Sequence, residues 1–436
     1  MYNKKHWNYS HCIADPRFPS SHYYHHTEPI PHNAHLSFQD AATHLLFDTT
    51  GHHVTTEKGF RMTRANVAVR EGRWFWECRI TRGIVTTKKG EQTRNNGHVR
   101  IGFSRREATL DAPVGFDAYS YGIRDKLGQK VHMSRPKAFF SAGEEIQEGD
   151  VVGLEIYLPS EHIQRKVLAG QYNPVVDSHD EEPAPDTPAG NIVRDRIPIR
   201  FKAQMLYEKI AYHTTKELED LMNPSPSSGA GGPAQAPNPN HAVPALRTLP
   251  GSYIKAYKNG VLVGTAFEDL LCFMPPAAKP HSQPGVREGL DDGMLGYYPS
   301  VSVFRGGAVE VNFGPKFWYP PPGHEGDKNP PSGPAADEDE VDMIRSDGET
   351  SLAPNSGLPA GPVWPPSLSK VRPMQQRYVE QIAEDVIWDI IDEITYWVQD
   401  GCRIIDFTTK DEAEKRVGGA AGAVAREEIK ELVQDD

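Results

Sequence analysis

Positive charge collects at one place in this chain. Lys88, Lys89, Arg94, Arg105 and Arg106 lie on and beside a loop at about 84–98. Such a cluster suits the phosphates of DNA. The plainer reading is a solvated loop in an acidic protein, and no aromatic residues in the loop offer a stacking platform for single strands. Arg100 is a different kind of cation. It alternates with Val99, Ile101 and Phe103 and so leaves the apolar face of a strand. A guanidinium fork takes a carboxylate or phosphate through two parallel hydrogen bonds, although a lone surface arginine is by itself usually just solvated. The histidines at 22, 25, 26, 52 and 53 sit in loops with no carboxylate or thiol at ligand spacing, so no metal is expected. No G-x-S-x-G elbow or H-E-x-x-H helix motif appears. Gly418-Gly419-Ala420-Ala421-Gly422 follows no strand, which argues against a phosphate loop. Cys12, Cys78, Cys272 and Cys402 are far apart with no CxxC pair. They make neither a disulfide scaffold nor a zinc module, and they suit a reducing compartment.

The elements that carry these residues read mostly as strands. Trp74, Trp76, Cys78 and Ile80 share one face, and so do Val152, Leu154, Ile156 and Leu158. Tyr253–Tyr257 and Val261–Val263 flank Lys258-Asn259-Gly260, a type I′ hairpin signal. Tyr298–Phe304 and Val309–Phe313 read as a second hairpin across Arg305-Gly306-Gly307-Ala308. The exception is 379–398, an amphipathic helix with Val379, Ile382, Val386, Ile390, Ile394 and Trp397 at steps of three or four, widened by Ile387, Ile391 and Val398. Its other face is acidic. A helix this apolar, tethered outside a domain, needs a surface to bury against. That surface is either its own domain or a groove on a partner.

With 436 residues the length alone allows about three domains, but many segments cannot form a core. Residues 1–35 read as an irregular arm. Disordered insertions are expected at about 173–191, 223–250 and 275–293, rich in Pro, Gly, Ser and charge. Residues 323–375 form an acidic Pro-rich linker centred on Asp337-Glu338-Asp339-Glu340, and 401–436 is a tail with a possible surface helix at 411–433. The strand-rich blocks between 36 and 322 are expected to close into one all-β antiparallel sandwich, since neither block alone covers both sheets. A net charge of -12 argues against a chain that coats nucleic acid. No run is long enough to cross a bilayer and the N-terminus has no apolar leader, so a soluble intracellular protein is expected, with no membrane partner.

An ordered series of motifs is more specific. Gly59-Phe60-Arg61-Met62, Gly72-Arg73-Trp74-Phe75-Trp76-Glu77, Val99-Arg100-Ile101-Gly102-Phe103-Ser104, Ala112-Pro113-Val114-Gly115-Phe116-Asp117 and Tyr119-Ser120-Tyr121 are followed by Gly149–Gly153, Tyr257–Gly260, Tyr298–Ser302 and Val311–Pro315. Together they resemble the SPRY domain of the Ash-two/Bre-two subunit of COMPASS (Set/MLL-type) histone H3 lysine methyltransferase complexes. The helix at 376–400 resembles that family's docking motif for a Dpy-thirty/Sdc-one-type homodimer. The absence of cysteine clusters implies a short, fungal-like form without the zinc finger.

The resemblance implies a bent SPRY-type sandwich and a nuclear, non-catalytic scaffold, with no cofactor and no small-molecule substrate. It implies a chromatin regulator with roles in transcription and telomeric silencing. Its partners would be a SET-domain methyltransferase subunit, WD40 subunits and the Dpy-thirty-type dimer, with nucleosome or histone H3 met indirectly. Its effect would be to stimulate methylation of the fourth-residue lysine of histone H3. The family positions that bind an acidic, phosphorylatable segment of the WD40 partner fall here on Arg100, Pro113, Arg124, Lys126, Phe60 and Phe116. Phe60 and Phe116 stand where many members have Tyr, so a ring contact can persist and a hydroxyl bond cannot. The dimer-docking positions fall on Ile382, Val386, Ile387, Ile390, Ile391 and Ile394. Lys88, Lys89 and Arg94 are the candidates for nucleosomal DNA. The competing readings are a SPRY adaptor outside chromatin, for example in ubiquitin ligation, and an enzyme with a cryptic site. The first lacks a visible RING, B-box or SOCS-box segment, and the second lacks a catalytic constellation.

Overall fold

Period-two alternation decides which side chains meet. In the computed structural model, Trp74, Trp76, Cys78 and Ile80 project from one face of a long strand into the main core. There they meet Ile101 and Phe103 from an opposing sheet, and Leu154 and Ile156 from their own. The structure describes residues 7–14, 24–26, 30–85, 94–95, 97–177, 192, 197–201, 204–210, 214–223, 236–274, 291, 293–324, 370–399 and 430–431, with side chains in the last helix described as far as Ile391.

The sandwich strands are β1 (Leu36–Ala41), β2 (Leu46–Phe47), β3 (His53–Thr55), β4 (Arg61–Ala65), β5 (Gly72–Arg82), β6 (His98–Ser104), β7 (Ser120–Arg124), β8 (Gln129–His132), β9 (Arg135–Ala138), β10 (Val151–Leu158), β11 (Tyr253–Lys258), β12 (Val261–Glu268), β13 (Tyr298–Phe304), β14 (Ala308–Asn312) and β15 (Arg372–Pro373). One sheet runs β9-β8-β7-β6-β13-β4-β1. The other runs β12-β11-β10-β5-β14-β3-β2, with β15 added parallel to β5. Both strand-rich blocks of the sequence contribute to both sheets, so they close into the single all-β sandwich expected.

The Asn259-Gly260 turn is as the sequence predicts. Both residues have positive φ, at 49° and 82°, which matches the twist of β11 and β12. The second hairpin is not observed. β13 pairs with β6 and β4, whereas β14 pairs with β5 and β3. Arg305-Gly306-Gly307 therefore turns a corner between sheets, which lets Val301 and Val303 face Val309 and Val311 across the core.

Three segments carry more structure than their composition suggests. The supposedly irregular arm holds a strand, Trp7–Ala14, paired with Gln204–Ile210, and its end places Ala34 in the core. Part of the insertion at 223–250 is ordered: Leu249 is buried and Thr248 bridges to Leu271. A helix not foreseen, α1 (Glu161–Ala169), follows β10, capped by the Ser160 hydroxyl. The remainder of the expected insertions, most of the acidic linker and most of 401–436 lie outside the described residues.

The C-terminal helix, α2, spans Met374–Gln399. It is not loosely tethered at its start. Met374 and Tyr378 are core residues, and Ile382 packs against the same core. Among the described residues no helix is long and apolar enough to cross a membrane.

Candidate functional site: a cationic end of one sheet and an outward helix

The outer face of the β6 sheet is covered by residues 105–119, whose Leu110, Val114, Ala118 and Tyr119 form a second core with Met62. Two groups hold that segment. Arg64, fully buried, donates to Ser104 Oγ at 3.1 Å, to the Arg105 and Arg106 carbonyls at 3.0 and 3.2 Å, and to the Ala108 carbonyl; it also pairs with Asp40 at 2.7 Å. Asp117 accepts from Tyr119 N, Thr109 N and the Ser120 hydroxyl. Close approach requires glycine beneath: a Cβ on Gly122 would stand 2.6 Å from the Val114 carbonyl oxygen.

Where the cover ends, the predicted residues meet. Arg100 on β6 is in register with Arg124 on β7 and with Ser302 on β13. Ser302 Oγ accepts from Val114 N at 3.0 Å, which places Pro113 beside that row. Phe60 lies under Arg100, with the guanidinium carbon 5.0 Å from the ring centroid, and packs on Phe304 at 4.8 Å. Phe116 is exposed one turn beyond Pro113, joined by Phe116 N donating to the Pro113 carbonyl at 3.0 Å. Lys126 is exposed on a 3-10 turn, and its carbonyl accepts from Arg124 Nε at 3.2 Å. Arg100, Arg124, Lys126 and Phe60 thus gather at one end of one sheet with Pro113 beside them, whereas the carbonyl of Phe116 accepts from the Ser134 hydroxyl at 2.8 Å, on the turn at the other end of β8.

The electrostatics there are unbalanced. Arg100 is half-buried and, among the described residues, its guanidinium makes no hydrogen bond or ion pair. Burial first, then the charge of Arg124, pulls its pKa down to about 10, against the opposing pull of Asp125. An anion placed there would relieve both costs. Asp125 is a residue that sequence reasoning missed. Buried and between two cations, it accepts from Lys126 N at 2.7 Å and Val99 N at 3.0 Å and faces His98 Nδ1 at 3.1 Å, so it fixes the turn that carries Arg124 and Lys126. Phe304, the second ring of the floor, was also missed. An acidic residue between two basic ones is the signal that could have found Asp125.

The basic loop is smaller than its sequence suggests. Arg105 is buried, paired with Glu107 and donating to the Cys272 carbonyl at 2.8 Å. Arg106 donates to the Tyr298 hydroxyl at 3.0 Å. Both are therefore structural and leave the surface cluster. Lys88 and Lys89 lie outside the described residues. Arg94 belongs to a short strand, Arg94–Asn95, paired with Ile84–Val85, and its side chain is not among those described. Of the histidines expected in loops, His53 instead begins β3, and His25 and His26 lie on a short strand, Tyr24–His26. His53 faces Asp48 at 3.3 Å and His52 faces Thr50, while the side chains at 22, 25 and 26 are outside the described set.

On α2, Val386, Ile387, Ile390 and Ile391 are 41 to 55% exposed and make a continuous apolar surface. Ile382 is turned onto the sandwich core instead, and the side chain of Ile394 lies outside the described set.

Comparison with known proteins identifies the family. The chain is 63% identical over 438 residues to the COMPASS component cclA of Colletotrichum higginsianum, covering 100% of this chain and 74% of that protein. The chain belongs to the cclA family of COMPASS components. The cclA of Emericella nidulans is 39% identical over 90% of this chain, which spans 59% of that relative's length. The Set1 complex component ash2 of Schizosaccharomyces pombe is 37% identical over 91% of this chain, which spans 46% of it. No family model matches. A human SPRY domain crystal structure overlaps 63% of the chain with a TM-score of 0.29 and 13% identity, too weak a superposition to bear on the fold.

Proposed function

We propose that this chain is a scaffold subunit of a nuclear COMPASS-type histone methyltransferase complex, one that performs no chemistry itself. The sandwich receives an acidic segment of a WD40 subunit at Arg100, Arg124 and Lys126, over the rings of Phe60 and Phe116 and beside Pro113. The outward part of α2, at Val386, Ile387, Ile390 and Ile391, receives a Dpy-thirty/Sdc-one-type dimer. Held together in this way, the SET-domain subunit methylates the fourth-residue lysine of histone H3 faster.

The observation that carries this reading is the half-buried, unpaired guanidinium of Arg100, set beside a second arginine on an aromatic floor. A desolvated cation without a counter-ion costs stability, and an acidic ligand offsets that cost. Membership of a family whose relatives are named as COMPASS and Set1 complex components supports the choice of partner.

Methylation of histone H3 by the SET-domain subunit and its WD40 partners, with and without this chain, tests it. Strong stimulation by the wild-type chain that is lost with Arg100→Ala is expected. Stimulation that survives the substitution moves the WD40 site elsewhere, and no stimulation by the wild-type chain overturns the scaffold reading.

A further inference from the structure

The described part of α2 divides at Ile382. Before it, the helix is fastened to the sandwich by polar groups as well as by Met374 and Tyr378. The Gln381 carboxamide accepts from Ala68 N and donates to the Asn66 carbonyl, both at 3.0 Å, much as a neighbouring strand would. Arg377 Nε donates to the Ala68 carbonyl at 3.0 Å, and its two terminal nitrogens reach Glu384 at 2.7 and 2.8 Å. Gln375 Oε1 accepts from Ala34 N at 3.0 Å, while Gln375 N donates to the Phe313 carbonyl at 2.9 Å. None of these groups belongs to the outward apolar surface.

Starting a helix is the costly step, and in proteins most helical stability comes from tertiary packing rather than from propensity. Beyond Ile382, the side chains of Val386, Ile387 and Ile390 turn outward, so they do not pack on the sandwich to hold the helix. We infer that residues 374–382 are a preformed nucleus that keeps the outward half helical and aimed in a fixed direction. Arg377 and Gln381 are then positioning residues for a dimer that docks about 14 Å further along the helix. This rests on the docking reading above and extends it. The sandwich sets the affinity of a surface it does not touch, because a ligand sees only the fraction of molecules whose site is formed. If loss of the fastening leaves about one molecule in ten helical there, binding weakens about tenfold.

The test uses the full chain with Arg377→Ala and Gln381→Ala combined. Calorimetry reads affinity for a purified Dpy-thirty-type dimer, and hydrogen exchange reads the amides of 383–391. Affinity for an acidic WD40-segment peptide checks that the sandwich is intact. The expected result is about tenfold weaker dimer binding and faster exchange, with peptide affinity unchanged. Should the double variant fail to fold, Ala383→Gly carries the test. Ala383 is exposed at the junction, so this change leaves fastening and docking surface alone while loosening the helix between them. Weaker binding is again expected. Wild-type affinity in the folded variants overturns the inference. If the wild-type chain itself does not bind the dimer, the docking reading fails instead, and exchange then decides the nucleus alone: unchanged rates overturn it, faster rates retain it.

Discussion

At the scale of single residues, Arg100 and His132 carry charge arguments of opposite kind. Arg100 is a half-buried cation whose guanidinium has no counter-ion among the described residues. A charge-assisted hydrogen bond to it is worth about 1.5–3 kcal/mol, so the Arg100→Ala change tested above should weaken an acidic WD40-segment peptide roughly ten- to a hundredfold. Arg100→Lys should recover only part, because an ammonium cannot present two parallel donors or stack on Phe60. His132 is kept neutral. It stacks on Tyr121 with centroids 4.2 Å apart, and its Nδ1 donates to the Ser120 carbonyl at 2.9 Å. Burial chiefly, with help from the charges of Arg135 and Lys137, lowers its pKa from 6.5 to about 4. The unfolded chain therefore binds this proton more readily than the folded one between those values. Stability contributed here is full above pH about 6.5, falls as pH drops toward 4 and is level below. The loss is at most about 3 kcal/mol. In urea unfolding, His132→Phe should show a smaller stability difference between pH 7 and pH 4.5 than the wild type. An equal difference would mean that other groups carry it.

At the scale of elements, strands were more legible than their connections. The core faces of β5, β6 and β10 follow from alternation alone, because their large apolar residues recur at every second position. The corner after β13 was not legible: two glycines suit a hairpin and a change of sheet equally, and only pairing partners distinguish them. The stripe of α2 was plain in the sequence, but periodicity reports that a face is apolar and not what covers it. The fastening was hidden for a further reason. Gln381 and Arg377 bond to backbone atoms some 310 residues earlier, and no side-chain pattern marks such partners. The centre of the outward surface gives the sharpest check on the helix itself. Ile390→Asp should abolish dimer binding while leaving the thermal transition of the sandwich within a degree or two, since Ile390 is half exposed and outside the core. A large fall in melting temperature would place that residue in the fold instead.

At the scale of the whole molecule, the strand pattern led to the all-β sandwich, and the fold brings Arg100, Arg124, Lys126 and Phe60 to one sheet end. The acidic linker did not reveal that the domain continues on its far side. Arg372 lies with its guanidinium carbon 3.7 Å over the Trp74 ring and is paired with Glu380 at 2.6 Å; Val371 packs with Phe75 and Tyr257, and Met374 is fully enclosed. Val371, Arg372, Met374, Arg377, Tyr378 and Gln381 are thus buried parts of a sandwich whose other strands end by Asn312. It follows that covalent continuity through 325–369 is not what keeps the two parts together. A chain cut at a protease site inserted there should show two bands on a denaturing gel and one undiminished particle by gel filtration. A chain ended before residue 371 should instead be sticky and poorly soluble, its Trp74 and Phe75 surfaces laid bare.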